Sequence, residues 1–126
     1  MDGAFVSLMT VYVAESSRTI AAGLLKLKDA MIADYAEFMP PKDEVRKKIL
    51  NEYVEDFIIS YSKKYIKITE ERGAVRAFIV NVDNDPKFKK GDILMPIAYN
   101  KPVRDTARGN ILDGGYEIKW SGAMYI

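Results

Sequence analysis

The apolar residues of this chain change their spacing near residue 65, and this change restricts the fold more than any other feature of the sequence. Before it, apolar residues recur every three or four positions, as in amphipathic helices. After it, short β-branched runs alternate with glycine, proline and asparagine, as in strands and turns. Helices followed by a run of strands predict an α+β fold in which a helical hairpin packs on an antiparallel sheet.

Two helices are predicted before the change. The first spans about 22 residues, follows the possible N-cap pair Ser16 and Ser17, and ends before Pro40, because proline cannot continue the helical hydrogen bonds. The second starts at Pro41 and reaches Lys64. Its apolar stripe consists of Val45, Ile49, Tyr53, Phe57 and Tyr61. Because the connector is very short, we expect the helices to form an antiparallel hairpin.

Strands are predicted on both sides of the hairpin. Residues 5–13 are interpreted as a short buried strand, with a first helical turn as the alternative. The later strand-like segments are 65–69, 74–82, 92–99, 116–120 and 123–126. We expect a single domain, with a helical hairpin at about 16–65 and a β-rich part at about 65–126.

The strongest predicted strand, residues 74–82, indicates which side chains share a face. Strict alternation of side chains along a strand assigns them to two sets. Val75, Ala77 and Ile79 are expected to point to one face, and Arg76, Phe78 and Val80 to the other. In the next strand, Pro96 favours an edge position or a bulge.

The composition excludes several classes of function. The chain has no cysteine and no histidine, which excludes disulfides, thiolate or imidazole metal sites and Ser–His catalysis. Neither glycine pattern of dinucleotide-binding or phosphate-binding loops occurs. Asp83, Asn84 and Asp85 start like a calcium loop, but Phe88 occupies the position where glycine is needed. We therefore expect a non-catalytic protein without a cofactor or a metal site.

The charge and the first residues bear on partners and location. There are 19 basic and 18 acidic residues, a balance that argues against binding to a nucleic acid polymer. The apolar run 5–13 is interrupted by Ser7 and Thr10 and is preceded by no basic region. It predicts neither a signal peptide nor a membrane span. We expect a cytoplasmic protein without membrane contacts.

The last third of the chain contains the candidate binding residues. Three of the six arginines lie there, together with aromatic and amide side chains. The candidates are Arg76, Phe78, Tyr99, Asn100, Arg104, Arg108, Asn110 and Trp120. A turn at residues 108–110 would expose backbone N–H groups beside a guanidinium, which suits a phosphate, while a ring stacks a base. The alternative is that Arg104 and Arg108 pair with Asp105 and Asp113 on the surface.

The layout resembles that of a known family. The helical hairpin, residues 74–82 (AVRAFIVNV), the Arg-Gly-Asn turn and residues 116–126 (YEIKWSGAMYI) are similar to the phage-encoded anti-Thoeris sponge proteins. The resemblance implies a homo-oligomer that sequesters a small anionic nucleotide, of the cyclic ADP-ribose type, between its subunits. It also implies a phage protein that blocks anti-phage defence in the host cytoplasm. The candidate residues above are not carried over from that family.

Other functions remain open at this point. A small phage protein that inhibits a host or defence protein by direct binding would show no response to small molecules. A structural or assembly protein would form large particles without a ligand. An enzyme would have to use carboxylate or metal chemistry, since no imidazole or thiol is present.

Overall fold

The computed structural model describes residues 10–123, which form two helices and antiparallel strands in an α+β arrangement. The elements in chain order are β1 (Val11–Val13), α1 (Ile20–Phe38), α2 (Glu44–Glu55), β2 (Ile58–Tyr61), β3 (Tyr65–Thr69), β4 (Val75–Val80), β5 (Ile93–Leu94), β6 (Pro96–Ala98), β7 (Lys101–Pro102) and β8 (Tyr116–Ile118). The N-terminal strand is confirmed at Val11–Val13. The predicted strand positions 5–9 and 124–126 lie outside the described residues.

The strands form one sheet of four and two small pairs. The four-stranded sheet has the order β2-β3-β4-β5, and each neighbouring pair is antiparallel. β1 pairs with β8, so that the two ends of the described chain meet, and β6 pairs with β7. Helix α1 buries Leu24, Leu27 and Met31 in the main core. Within residues 10–123, no helix is long and apolar enough to cross a bilayer.

The first helix begins later than its sequence suggested. Its N-cap is Thr19, whose hydroxyl accepts the N–H of Ala22 at 3.1 Å. The prediction of Ser16 and Ser17 as caps is therefore wrong. The N–H of Ser17 instead donates to the Leu112 carbonyl at 2.8 Å, which ties this segment to the C-terminal part of the chain. The end at Phe38, just before the two prolines, agrees with the prediction.

The second helix is shorter than predicted at both ends. Asp43 is its N-cap and accepts the N–H of Arg46 at 2.8 Å, so Pro41 precedes the helix. The helix ends at Glu55, and Ile58–Tyr61 is a strand rather than a continuation of the stripe. Residues four apart share one face of a helix and also one face of a strand, so spacing alone does not separate the two. Pairing with β3 decides the outcome.

A bulge between β3 and β4 changes the predicted faces of the longest strand. Ile68 pairs with Ala77, whereas Thr69 pairs with Val75, which leaves Arg76 as an extra residue. Such a bulge redirects the side chains on one side of it. The predicted faces are confirmed for residues 77–80, which alternate between the two apolar clusters, but they are wrong for residues 75 and 76. The Arg76 guanidinium lies against the main core, while Val75 packs against the other cluster.

Strand β4 separates two apolar clusters. The main cluster contains Ala77 and Ile79 together with residues from α1, α2, β3 and β8. The second cluster consists of Phe78, Val80, Phe88 and Leu94. Because β4 supplies both clusters and is buried on both faces, it fixes the position of Arg76 relative to α2.

Candidate ligand-binding site at Arg76

The β4 bulge places the Arg76 side chain over the aromatic residues of α2 and the segment that follows it. The guanidinium carbon lies 4.4 Å from the centre of the Tyr53 ring and 5.7 Å from that of Phe57. Only 8% of Arg76 is exposed. A cation above a ring is attracted by the ring's negative face, and this attraction strengthens when water is excluded. The guanidinium is therefore held in one place.

The donors of this guanidinium are only partly used. Nη2 donates to Glu70 Oε2 at 3.1 Å and forms an ion pair with it. Nη1 is buried and has no hydrogen-bond partner among residues 10–123. A buried donor without an acceptor is costly, and native proteins rarely leave one unpaired. An oxygen from outside the described protein would satisfy it.

Arg76 lines an open pocket of about 220 Å³. Its lining residues are Tyr35, Ile49, Glu52, Tyr53, Asp56, Glu70, Arg72, Arg76 and Trp120. Tyr53 and Glu70, the two groups in contact with the guanidinium, both line it. The pocket is smaller than those that enclose a drug-sized ligand, so it is suited to one part of a larger molecule.

The aromatic wall of the pocket is fixed by its own contacts. Tyr35 and Tyr53 stack with ring centres 4.3 Å apart, and Trp120 stacks on Phe38 at 5.1 Å. The Tyr53 hydroxyl donates to the Trp120 carbonyl at 2.7 Å, and the Trp120 backbone N–H donates to buried Asp34 at 2.8 Å. Burial raises the pKa of Tyr53 far above its usual value, which keeps the hydroxyl protonated and donating.

The charges around the pocket are mixed. Glu70 balances Arg76, Arg72 adds an exposed cation, and Glu52 and Asp56 add two carboxylates on the α2 side. Carboxylates accept hydrogen bonds from hydroxyl groups, and guanidinium groups donate to phosphate or carbonyl oxygens. The pocket can therefore hold a molecule that has both kinds of group and a flat ring.

Of the eight residues predicted from the sequence, Arg76 and Trp120 line this pocket together. Two others, Tyr99 and Asn100, lie at a separate place beside Lys67. The Lys67 ammonium is 3.6 Å from the centre of the Tyr99 ring and donates to Asn100 Oδ1 at 2.6 Å. Tyr99 is 56% exposed, so it forms part of an open surface rather than of the pocket.

Arg104 and Phe78 belong to the region around the second cluster. Arg104 Nη1 donates to the Tyr65 hydroxyl at 2.5 Å, and Nη2 donates to Asp85 Oδ1 at 2.8 Å. Its guanidinium carbon lies 4.9 Å from the centre of the Phe88 ring. Phe78 is 2% exposed and packs edge-on against Tyr65, so its ring offers no surface to a base. Arg104 pairs with Asp85, not with either aspartate considered in the sequence analysis.

Arg108 is engaged inside the protein. Its side chain is 6% exposed, and Nη1 donates to Asp105 Oδ1 at 2.6 Å and to the Thr106 carbonyl at 2.5 Å. Its backbone N–H donates to the Ile93 carbonyl at 2.7 Å. Pairing with Asp105, the alternative to phosphate binding, is the arrangement present in the structure. The backbone N–H of Arg108, which the sequence analysis expects to face a phosphate, is therefore already bonded to the edge of β5.

Asn110 organises the loop that follows. Its side-chain oxygen accepts the backbone N–H groups of Leu112 and Asp113 at 2.8 and 2.9 Å. Its side-chain nitrogen donates to Asp92 Oδ1 and to the Lys90 carbonyl, both at 2.9 Å. These bonds use both donors and the oxygen of the buried amide, which therefore stabilises the loop.

Sequence reasoning did not assign Tyr53, Glu70 or Tyr35 to the site. Tyr53 belongs to the apolar stripe predicted for the second helix, and apolar spacing does not reveal that one edge of such a residue borders a pocket. The signal that does exist is the single arginine inside the most apolar strand, at residue 76. A buried arginine requires partners, and two carboxylates, Glu70 and Glu71, lie shortly before it in the sequence; the structure pairs Arg76 with Glu70.

Comparison of the chain with protein-family models, curated proteins and solved structures found no match in any of the three. Among residues 10–123, no three side chains of the metal-ligating types approach one another closely enough to hold an ion. The Asp83–Asn84–Asp85 turn instead uses Asp85 to accept the N–H groups of Lys87 and Phe88, both at 2.9 Å. The pocket at Arg76 is accordingly the site on which a function is proposed.

Proposed function

We propose that the protein is a non-catalytic binding protein that holds a small nucleotide-like ligand in the Arg76 pocket. The observation that carries this proposal is Arg76 Nη1, a cationic donor that is buried beside a pocket and lacks an acceptor among the described residues. Folding around such a donor is costly unless an acceptor is supplied. A bound anion supplies that acceptor.

The remaining groups favour a nucleotide over a simple anion. Trp120 and Tyr35, which are half-buried, provide ring surface for a flat base, and base–aromatic stacking adds about 1–3 kcal/mol. Glu52 and Asp56 can accept hydrogen bonds from sugar hydroxyls. A ligand with two ring or phosphate units is larger than this pocket of about 220 Å³, so part of it would extend outside the pocket.

A second depression next to Arg76 can receive the part of the ligand that extends outward. It has a volume of about 490 Å³, and its lining includes Arg76, Lys119 and Ser121. Lys119 supplies a second cation, and Ser121 supplies a hydroxyl that can donate to an oxygen. A ligand with two phosphates would thus find a separate partner for each.

Within this class, the resemblance to phage sponge proteins makes cyclic ADP-ribose-type signals the first ligands to test. The proposed role is sequestration: a phage protein binds the immune signal in the host cytoplasm, leaves it intact and so blocks anti-phage defence. Such a role requires tight binding and abundance but no catalytic base.

The proposal is tested by a thermal-shift screen with cyclic ADP-ribose isomers and cyclic dinucleotides. A ligand that binds only the folded state raises the melting temperature, and at 100 times Kd it stabilises by about 2.7 kcal/mol. The bound material is then released by heat and identified by mass. We expect a shift of several degrees with recovery of unaltered ligand. An altered ligand would indicate an enzyme, and no shift with any nucleotide would redirect the search to a protein partner.

Matched variants connect the shift to the pocket. Arg76→Met removes the donor and retains most of the side-chain volume, whereas Arg18→Met removes an exposed arginine outside the pocket. We expect Arg76→Met to weaken ligand binding by roughly tenfold or more, equivalent to about 1.4 kcal/mol, and Arg18→Met to leave it unchanged. Equal binding by both variants would exclude Arg76 as the donor.

A further inference from the structure

The four-stranded sheet has two edges, and the structure covers only one of them. At the β5 edge, the N–H of Ile93 donates to the Gly109 carbonyl at 2.8 Å, and the N–H of Arg108 donates to the Ile93 carbonyl at 2.7 Å. At the other edge, β2 pairs with β3 and with no other described segment. An uncovered edge presents unpaired N–H and C=O groups to which another strand can bind.

The register shows which backbone groups of β2 are unpaired. In the hairpin, the N–H of Ser62 donates to the Tyr65 carbonyl at 3.0 Å, so the backbone groups of Ser62 face β3. Bonded and unbonded positions alternate along an antiparallel pair. The backbone groups of Ser60 therefore also face β3, whereas those of Ile59 and Tyr61 point outward. No described residue forms a backbone hydrogen bond with these outward groups.

Strand β2 lacks the usual protection of an exposed edge. Residues 58–61 contain no charged residue and no proline, and their pairing with β3 has no bulge. Ile58 and Tyr61 are 38% and 60% exposed. Natural edge strands usually carry a lysine, a proline or a bulge that prevents pairing with another chain. The absence of these features in β2 favours pairing.

The charges on either side of β2 favour a second copy of this chain, in antiparallel orientation, as the partner. Glu55 and Asp56 precede the strand, and Lys63 and Lys64 follow it. Two copies of β2 placed antiparallel bring the acidic end of each copy to the basic end of the other. A parallel arrangement would instead place like charges together, which is unfavourable.

We propose that β2 is the interface of a homodimer in which two copies of this strand pair antiparallel across a two-fold axis. The register that uses the outward groups of both residues in each copy pairs Ile59 with the partner's Tyr61, and the two Ser60 residues then face each other at the axis. This register provides four backbone hydrogen bonds, two from each reciprocal pair. It also brings the acidic end of each copy, at Glu55 and Asp56, toward the basic hairpin turn of the other copy, at Lys63 and Lys64. The two four-stranded sheets become one sheet of eight strands.

The first test is the mass of the full chain by light scattering from micromolar to millimolar concentration, with Tyr61→Pro and Tyr61→Ala as matched variants. Proline removes the outward N–H without removing a bond to β3, whereas alanine keeps it. We expect twice 14.3 kDa for the wild type and for Tyr61→Ala at high concentration. We expect Tyr61→Pro to raise the dimer dissociation constant at least roughly tenfold. A monomer throughout the range, or a Tyr61→Pro dimer as tight as the wild type, would overturn the proposal.

Charge reversal and amide exchange test the register even if the proline variant fails to fold. Lys64→Glu should weaken the dimer at low salt, and Asp56→Lys combined with Lys64→Glu should restore it. In the wild type, hydrogen exchange at Ile59 and Tyr61 should slow as the concentration rises, while the Ser60 amide is protected at every concentration. Lack of restoration in the double variant, or exchange at Ile59 and Tyr61 that does not depend on concentration, would contradict the proposed pairing.

Discussion

Arg76 and Arg104 have similar surroundings but differ in how many of their donors are used. Each guanidinium lies over an aromatic ring, at 4.4 Å from Tyr53 and 4.9 Å from Phe88. Each also donates to a carboxylate. For Arg104, both terminal nitrogens have partners. For Arg76, Nη1 has none among the described residues.

This difference separates an arginine whose terminal nitrogens all have partners from the one at which we propose a ligand site. The Arg104 side chain connects Tyr65 of β3 to the turn at Asp85. The backbone carbonyl of Arg104 also accepts a hydrogen bond from the Lys87 ammonium at 2.8 Å. Arg76 has one ion pair, its buried Nη1 has no partner among the described residues, and the residue lines a pocket. A cationic side chain with a ring beneath it is therefore insufficient to identify a binding site, and the count of unused donors is the informative quantity.

The largest effect is expected from removal of the ring beneath each guanidinium. Tyr53→Ala should lower the free energy of unfolding by roughly 3–5 kcal/mol, because the ring is 6% exposed and packs in the main cluster. Phe88→Ala should cost about 3 kcal/mol, because its cluster is smaller. Urea denaturation measures both values. A loss below about 0.5 kcal/mol for Tyr53→Ala would mean that the ring is on the surface.

Removal of each guanidinium is the next largest change and separates the two regions directly. Arg104→Met should lower the melting temperature by about 5–10 °C, because Asp85 is shielded from water and loses its cation. Arg76→Met should lower it by less than about 3 °C, because Glu70 is 32% exposed and can be hydrated. Calorimetry measures the difference. The comparison fails if Arg76→Met is the more destabilising variant.

The Arg104 region should also respond to acid. Hydrogen bonds from Arg104 and from the N–H groups of Phe88 and Lys87 hold the pKa of Asp85 far below its usual value. A carboxyl group whose pKa is lower in the folded than in the unfolded state stabilises the fold when it is ionised. This contribution is present above the unfolded pKa of about 3.9 and is lost as the pH falls below it. Stability measured from pH 6 to pH 2 should decline less steeply for Asp85→Asn than for the wild type. Parallel profiles would show that Asp85 is not linked to folding.

In the Arg76 region, the free energy of unfolding should depend on alkaline rather than acidic pH, and the expected change is smaller. Because burial raises the pKa of Tyr53, its stabilising contribution is fully present below the unfolded pKa of about 10 and is lost as the pH rises above it. Tyr53→Phe should cost about 1 kcal/mol at neutral pH, since the hydrogen bond to the Trp120 carbonyl is lost. It should also flatten the stability profile above pH 10. Denaturation at pH 7 and pH 11 checks both points.

Tyr116→Phe serves as the control for this alkaline effect. Burial raises the pKa of Tyr116 to about 12, yet its hydroxyl has no partner among the described residues. Removal of the hydroxyl should therefore leave stability at pH 7 equal or slightly higher, and it should flatten the profile between about pH 10 and 12. If Tyr116→Phe destabilises as much as Tyr53→Phe at pH 7, the role assigned to the Tyr53 hydrogen bond is wrong.

The sequence predicted those parts of the fold that depend on local pattern. The end of α1 before Pro40 and the bounds of β3 follow from proline chemistry and from alternation. Strand β2 was interpreted as helix, since its spacing fits both structures and only the distant partner β3 decides between them. The bulge at Arg76 was missed for the same reason, because register is a property of two strands rather than of one.

The candidate site shows a similar limit. Arg76 and Trp120 were identified as binding residues from their chemical types, and the structure brings them to one pocket. Arg108 and Asn110 were chosen for the same kind of reason, yet the structure uses both in internal hydrogen bonds. Residue type indicates what a side chain can bind. Which of its donors are already used is decided by the folded contacts: Arg108 donates to its sequence neighbours Asp105 and Thr106, whereas the Asn110 amide donates to Lys90 and Asp92 in a different loop.

We expect Arg76, and not Arg104, to supply the donor for a ligand. The most direct measurement is the guanidinium ¹⁵N–¹H spectrum of protein labelled at arginine, titrated with cyclic ADP-ribose and, separately, with inorganic phosphate. We predict that the resonances of Arg76 shift and saturate, while those of Arg104 remain in place. Movement of Arg104 without Arg76, or no movement of either at millimolar ligand, would contradict the claim.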